Sequence, residues 1–109
     1  MNKDIRNISK ERMHELWRAI SMLETPEECE SFFVDLCTVA ELDEMAKRMC
    51  GAKMLDENKV YTEITEKTGL STATISRINR CLKYGSNGYT EVLRRLEERG
   101  VKAPEIIEE

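Results

Sequence analysis

The sequence predicts an all-α protein of about six short helices. Apolar residues recur at spacings of three and four residues through most of the chain, and no stretch alternates with a period of two. Five glycines and two prolines among 109 residues are too few for a low-complexity or collagen-like chain. A chain of this length has room for one hydrophobic core, so we expect a single domain over residues 1–109.

The first half of the chain, from residue 9 to residue 55, predicts three helices. The first begins near Ser9 and continues to about Glu24. Thr25 and Glu28 form a capping box for a second helix, with Pro26 at its first position. Thr38 and Glu41 form the same box for a third helix, which should end near Leu55 and have an apolar face of Leu42, Met45, Met49 and Ala52.

Large apolar residues are unusually frequent in the first two predicted helices. They are Met13, Leu16, Trp17, Ile20, Phe32 and Phe33. Large apolar patches rarely stay uncovered on monomers, so we expect residues 9–55 to form a homodimer interface. The alternative is that these side chains fill the core of the monomer.

Three more helices are predicted after a polar break. The fourth runs from about Lys59 to Thr68, with Asp56 or Asn58 as its cap, and Gly69 ends it. The fifth, from Ser71 through Tyr84, is followed by a Gly-Ser-Asn-Gly loop. A sixth spans residues 89–99, turns four apolar side chains inward and stops at Gly100; these side chains are Tyr89, Val92, Leu93 and Leu96. Residues 101–109 are read as an acidic tail.

Residues 59–84 fit a helix-turn-helix. Gly69 stands in the turn, where the backbone needs a positive φ. Apolar residues at the required spacing would hold the two helices together, namely Ile64, Leu70, Ile75 and Ile78. Thr65 stands at a place that is close-packed in this motif and is usually alanine.

The outward face of the fifth helix suits DNA. From Ser71 to Tyr84 there are three basic residues and no acidic one. Hydroxyl and guanidinium groups contact phosphates and base edges, and small side chains permit close approach. We therefore predict DNA contacts from Ser71, Thr72, Ala73, Ser76, Arg77, Arg80 and Lys83. The alternative is a core element with a solvated basic face.

Catalytic and metal sites are not indicated. The four cysteines form no Cys-x-x-Cys pair, and the single histidine, His14, has no partner at metal-ligand spacing. No carboxylate pair or nucleophile-base set appears, so we predict no enzyme activity, no catalytic residue, no metal and no cofactor. Residues 1–10 contain no signal-peptide run and no segment is apolar enough for a membrane, so a cytoplasmic protein is expected.

From Phe33 to about Leu96 the chain resembles the tryptophan-repressor superfamily, in particular its YerC/YecD branch. The motifs that carry the likeness are LCTVAE at 36–41 with Arg48, DENKVYTEI at 56–64, GLSTATISR at 69–77, and LKYG at 82–85 with Gly88-Tyr89. The resemblance implies an intertwined homodimer. Each chain of it would offer one helix-turn-helix to a palindromic operator in double-stranded DNA.

The resemblance also indicates where an effector would bind. In the tryptophan repressor, the corepressor is held by a Thr, two Arg, a Gly and a Ser. Thr38, Arg48 and Arg77 match the Thr and both Arg, whereas Ile78 replaces the Gly and Cys81 the Ser. A branched side chain in place of Gly would fill the space of an indole, so L-tryptophan is not expected to bind. A smaller carboxylate effector, held by the two arginines, stays open.

The sequence therefore predicts a sequence-specific DNA-binding regulator, most simply a repressor. The alternative is a helical dimeric module that docks protein instead of DNA. The distribution of charge along the chain supports a localised DNA face. Residues 71–99 carry six basic and three acidic groups, whereas residues 1–70 carry ten basic and fifteen acidic groups.

Overall fold

Six α-helices and no strands make up residues 9–100, the part of the chain that the computed structural model describes. The predicted acidic tail at 101–109 lies outside these residues. The helices are α1 (Lys10–Ser21), α2 (Pro26–Leu36), α3 (Val39–Asp56), α4 (Tyr61–Thr68), α5 (Thr72–Tyr84) and α6 (Gly88–Glu98). The all-α prediction and the helix count are confirmed for this part of the chain.

The helices form two compact units, one up to Leu42 and one from Asp43 onward. The single-domain organisation and its subdivisions stay predictions.

Three helices start at their predicted caps, which are Thr25, Thr38 and Ser71, and Ser9 caps α1 in addition. The hydroxyl of Ser9 accepts the N–H of Arg12, and that of Ser71 accepts the N–H of Thr74. Thr38 and Glu41 form a complete capping box, in which each residue's backbone N–H donates to the other's side chain (2.8 and 3.1 Å). The bond from Thr38 to the carboxylate holds the pKa of Glu41 below its ordinary value.

The predicted cap of α4 is wrong. Its N-cap is Val60, and no side chain bonds to the first turn. Asn58 instead adopts a left-handed conformation (φ 64°) and ends α3. The N–H groups of Asn58 and Lys59 donate back to the carbonyls of Leu55 and Met54, which is a Schellman motif. Asparagine tolerates the left-handed region, so Asn58 ends α3 instead of capping α4.

Among residues 9–100, the buried core lies in the C-terminal unit. Its buried apolar members are Ala52, Met54, Ile64, Leu70, Ile75, Ile78 and Leu93. The four apolar residues predicted to hold the helix-turn-helix together are all among them, so that prediction is confirmed. Thr65, by contrast, is exposed, so its predicted close-packed environment is wrong.

The N-terminal unit contains no buried residue in α1 or α2. Trp17 is 54% exposed, and Phe32 and Phe33, whose rings meet edge to face at 5.5 Å, are only half-buried. The alternative that these side chains fill the core of the monomer is therefore wrong for the single chain.

The inward face predicted for α6 is only partly correct. Leu93 is buried and Tyr89 half-buried, but Val92 is 48% and Leu96 is 40% exposed. On α3, Ala52 is buried as predicted while Met45 is exposed. Periodicity identified the apolar residues of both helices correctly, but this chain alone does not cover all of them.

Candidate nucleic-acid interface

Helices α4 and α5 are joined by a turn whose backbone is set by Gly69 and Thr68. Gly69 has φ 76°, as predicted, and its N–H donates to the carbonyl of Thr65. The buried hydroxyl of Thr68 donates to the carbonyl of Ile64 (2.7 Å) and accepts the N–H of Leu70 (3.1 Å). The threonine thereby joins the end of α4 to the turn. Sequence reasoning missed this residue, because a threonine before a glycine carries no burial signal.

Gly51 in α3 is the second residue that sequence reasoning missed. It is buried, and a Cβ at this position would lie 3.0 Å from Cδ1 of Leu70 and 3.5 Å from Cδ1 of Ile78. The absence of a side chain lets α3 approach the helix-turn-helix closely. A glycine within a helical pattern was the available signal.

The face of α5 opposite the core is exposed throughout. Ile75 and Ile78 are buried, and the helix packs against α4 and α6. All seven residues predicted to contact DNA are exposed, namely Ser71, Thr72, Ala73, Ser76, Arg77, Arg80 and Lys83. Their role as DNA contacts stays a prediction.

The arginines of this face differ from most others in the described chain. Arg18, Arg48, Arg94 and Arg95 each form an ion pair with a glutamate on their own helix. Arg77 and Arg80 have no carboxylate partner among residues 9–100. Two uncompensated guanidinium groups on an acid-free helix form a positive surface suited to an anionic partner.

On α6, by contrast, both arginines are paired with glutamates of the same helix. Glu91 accepts hydrogen bonds from both Arg94 and Arg95, and these bonds hold the pKa of its carboxyl below the ordinary value. The positive charge of these two arginines is therefore largely balanced on their own helix.

The residues of the predicted effector site differ in their hydrogen-bond partners and in their burial. Thr38 uses its hydroxyl in the cap of α3 and belongs to the N-terminal unit. Arg48 is bound to Glu44 at 3.0 Å, Arg77 is exposed and Ile78 is in the core. Cys81 is half-buried.

Cys81 also lines a groove of about 380 Å³ in the C-terminal unit. The other lining residues are Met49, Ser86, Gly88, Tyr89 and Val92. No charged side chain is among them, so the groove does not include the two arginines expected to hold a carboxylate.

The described residues contain no cluster of three or more histidine, cysteine, aspartate or glutamate side chains that could hold a metal ion. Across residues 9–100, no helix combines the length and the apolar character needed to cross a membrane. The four cysteines are free thiols.

Comparison with known proteins places these features in a family. Residues 11–97 match the family described as Trp repressor protein. The uncharacterized protein YerC of Bacillus subtilis (strain 168) is 45% identical over 86 residues, which are 79% of this chain and 83% of YerC.

Two solved structures have the same fold. A TrpR-like protein from Eubacterium eligens ATCC 27750 is 43% identical, with a TM-score of 0.79 over 84% of this chain and 95% of its own. A protein from Staphylococcus aureus, provisionally named a Trp repressor, is 41% identical, with a TM-score of 0.79 over 88% of this chain and 96% of its own.

Proposed function

The chain belongs to the Trp repressor protein family, and we propose that it is a sequence-specific DNA-binding transcriptional regulator, most simply a cytoplasmic repressor without enzymatic activity. The observation that carries the proposal is the outward face of α5. Its seven predicted contact residues are exposed, it has no acidic residue, and it holds two arginines without carboxylate partners among residues 9–100. In a helix-turn-helix, the second helix lies in the major groove and its N-terminal residues contact base edges.

The distribution of charge supports specific rather than general binding. Residues 1–70 carry a net charge of −5, and residues 71–99 carry +3. DNA would be repelled by most of the chain and attracted at one face, so non-specific affinity should be low. Specificity would then rest on α5 and on the spacing between two copies of it.

We also propose that the active form is a homodimer. α1 and α2 contain no buried residue, yet Trp17, Val34 and Leu36 on these helices, and Met22 at the C-cap of α1, are exposed large apolar side chains. A second copy would cover such surface. The two recognition helices of a dimer would lie about 34 Å apart, which implies an inverted-repeat operator.

Arg77 and Arg80 test the DNA-binding face directly. We expect Arg77→Ala and Arg80→Ala each to weaken binding to a selected operator by about tenfold, since each removes a contact to a base or phosphate. Fluorescence anisotropy with labelled duplex, repeated over a series of salt concentrations, measures this. Affinity of the unaltered protein should fall steeply as salt rises.

Arg99→Ala is the matched control, because Arg99 is exposed, lies outside α5 and outside residues 9–55, and has no carboxylate partner among residues 9–100. It should bind like the unaltered protein. Full affinity in both α5 variants would contradict the assigned face. Failure of the unaltered protein to bind any duplex would favour the alternative of a module that docks protein.

Tryptophan corepression is not part of the proposed function. Ile78 stands where the family's tryptophan-binding members have glycine, and its side chain is in the core, within ordinary contact distance of the Cβ position of Gly51. We expect this packed side chain to occupy the space that an indole would need.

Isothermal titration calorimetry with L-tryptophan should detect no stoichiometric binding, either with free protein or with protein on its operator. Saturable binding of one tryptophan per chain would overturn this part of the proposal. The predicted smaller carboxylate effector, held by Arg48 and Arg77, is tested by the same titration with other amino acids.

A further inference from the structure

Two hydroxyl groups at the start of α5, those of Ser71 and Thr74, are hydrogen-bonded within the helix cap. The Ser71 hydroxyl donates to Oγ1 of Thr74 and accepts the backbone N–H of the same residue, both at 3.1 Å. Thr74 is half-buried. Both hydroxyl groups are engaged in capping the helix, and the exposed residues at its start are Ser71, Thr72 and Ala73.

The exposed face of α5 lacks two of the side-chain types that pair with particular bases. A carboxylate, which would accept from cytosine N4, is absent from residues 71–84. The only side-chain amide, which could pair with adenine, is that of Asn79, and this residue is half-buried. The exposed face therefore offers hydroxyl groups from Thr72 and Ser76, guanidinium groups from Arg77 and Arg80, and a methyl group alone from Ala73.

Ala73 lies on the centre line of the exposed face. Ala73, Arg77, Arg80 and Tyr84 follow at intervals of four, three and four residues, which aligns them along one side of a helix. All four are exposed, and Tyr84 is 83% exposed. Ala73 is the member nearest the N-terminus, about 6 Å along the axis from Arg77.

Alanine can offer a base edge only a methyl group. In the major groove the single apolar feature of the base edges is the C5-methyl of thymine, which is contacted by apolar side chains such as alanine. Thr72 is less selective, because it presents a hydroxyl as well as a methyl. We propose that Ala73 selects a thymine in each operator half-site by packing its methyl group against the C5-methyl.

This inference rests on the proposed function, and its test begins with an operator selected from random duplex by the full chain. Each thymine of one half-site is then replaced by deoxyuridine, which lacks only the C5-methyl. We expect one position at which the replacement weakens binding about fourfold, and about fifteenfold when both half-sites carry it. Deoxyuridine tolerated at every position would overturn the inference.

Ala73→Gly assigns the effect to this residue. The variant removes the partner methyl group, so the thymine and deoxyuridine operators should bind it equally well, as a double-mutant cycle requires. A deoxyuridine penalty that persists undiminished in Ala73→Gly would also overturn the inference. If the glycine unfolds α5, as circular dichroism would reveal, Ala73→Ser replaces it and should reduce the penalty below about twofold.

Thr72→Ser is the matched control, because it removes a methyl group from the neighbouring exposed residue. It should leave the deoxyuridine penalty unchanged, and a penalty abolished by Thr72→Ser alone would contradict the assignment to Ala73. Failure of the proposed function is distinguishable from all these outcomes. In that case no operator is enriched, and no salt-dependent binding to duplex is found.

Discussion

Gly85 ends α5 at a point where no larger residue fits. A Cβ at this position would lie 2.4 Å from the carbonyl oxygen and 2.9 Å from the Cα of Cys81. Both are backbone atoms of the preceding turn, and the same carbonyl accepts the N–H of Gly85. The clash cannot be relieved by a side-chain rotation, so the glycine is required where the helix enters the loop.

Gly85→Ala should therefore lower the free energy of unfolding by about 2 kcal/mol, the usual scale of overpacking. Urea denaturation followed by circular dichroism measures the change. Gly88→Ala is the matched control, since its Cβ would meet only the Ser86 Oγ, at 3.9 Å. It should change stability little, and equal losses in the two variants would contradict the steric explanation.

The two residues that sequence reasoning missed have roles that leave no periodic pattern. Gly51 depends on contacts with residues far along the chain, and Thr68 depends on the hydrogen bonds of its hydroxyl. Gly51 matters because Leu70 and Ile78 approach it. Thr68 matters because its hydroxyl bridges Ile64 and Leu70. Neither relationship has a periodic pattern, whereas the buried positions of Ile64 and Ile75 do.

At the scale of the helix, the two predicted capping boxes differ. Thr38 and Glu41 bond reciprocally, as the sequence pattern predicts. At the start of α2, the Thr25 hydroxyl accepts the N–H of Glu28, but the Glu28 carboxylate accepts from Glu24 instead of Thr25. The pattern therefore predicted where both helices begin, but not which backbone donor each carboxylate would take.

The start of α3 should respond to pH through Glu41. Its pKa in the folded protein lies below the ordinary value of 4.5, chiefly because the backbone N–H of Thr38 donates a hydrogen bond to the ionised carboxylate. The stabilisation is thus complete above about pH 4.5 and is lost as the pH falls through the lowered pKa. NMR titration of the Glu41 carboxyl and the Thr38 amide should show both changes together.

Glu41→Gln should remove the pH dependence of the Thr38 amide shift. Glu30→Gln, at an exposed position of α2, should leave it in place. A Glu41 carboxyl that titrates at or above its ordinary value would contradict the capping geometry.

At the scale of the whole molecule, apolar surface points to assembly. Val92 and Leu96 share one side of α6 and are substantially exposed, although the periodic pattern assigned them to a core. An apolar pattern indicates that a helix face is buried, but it does not indicate whether the same chain or a second copy buries it.

Val92→Glu tests that interpretation. The single chain leaves this side chain exposed, so its own fold should tolerate the glutamate, whereas a charge buried against a second copy should prevent dimerisation. We expect analytical ultracentrifugation at micromolar concentration to find monomer for Val92→Glu and dimer for the unaltered protein. Thr90→Glu, at an exposed position on the other side of α6, should remain dimeric. A dimeric Val92→Glu would mean that this face is not the interface.

Sequence alone determined the six helices, the turn at Gly69, the apolar residues of the helix-turn-helix and the acid-free face of α5. These features depend on interactions between residues a few positions apart, and such interactions leave a regular pattern. Tertiary structure decided what the pattern could not. It brought Gly51 against Leu70 and Ile78, buried Thr68, left Thr65 exposed, and confined the core to the C-terminal unit. These outcomes depend on which helices pack together, because burial of an apolar face requires a partner surface that the local sequence does not specify.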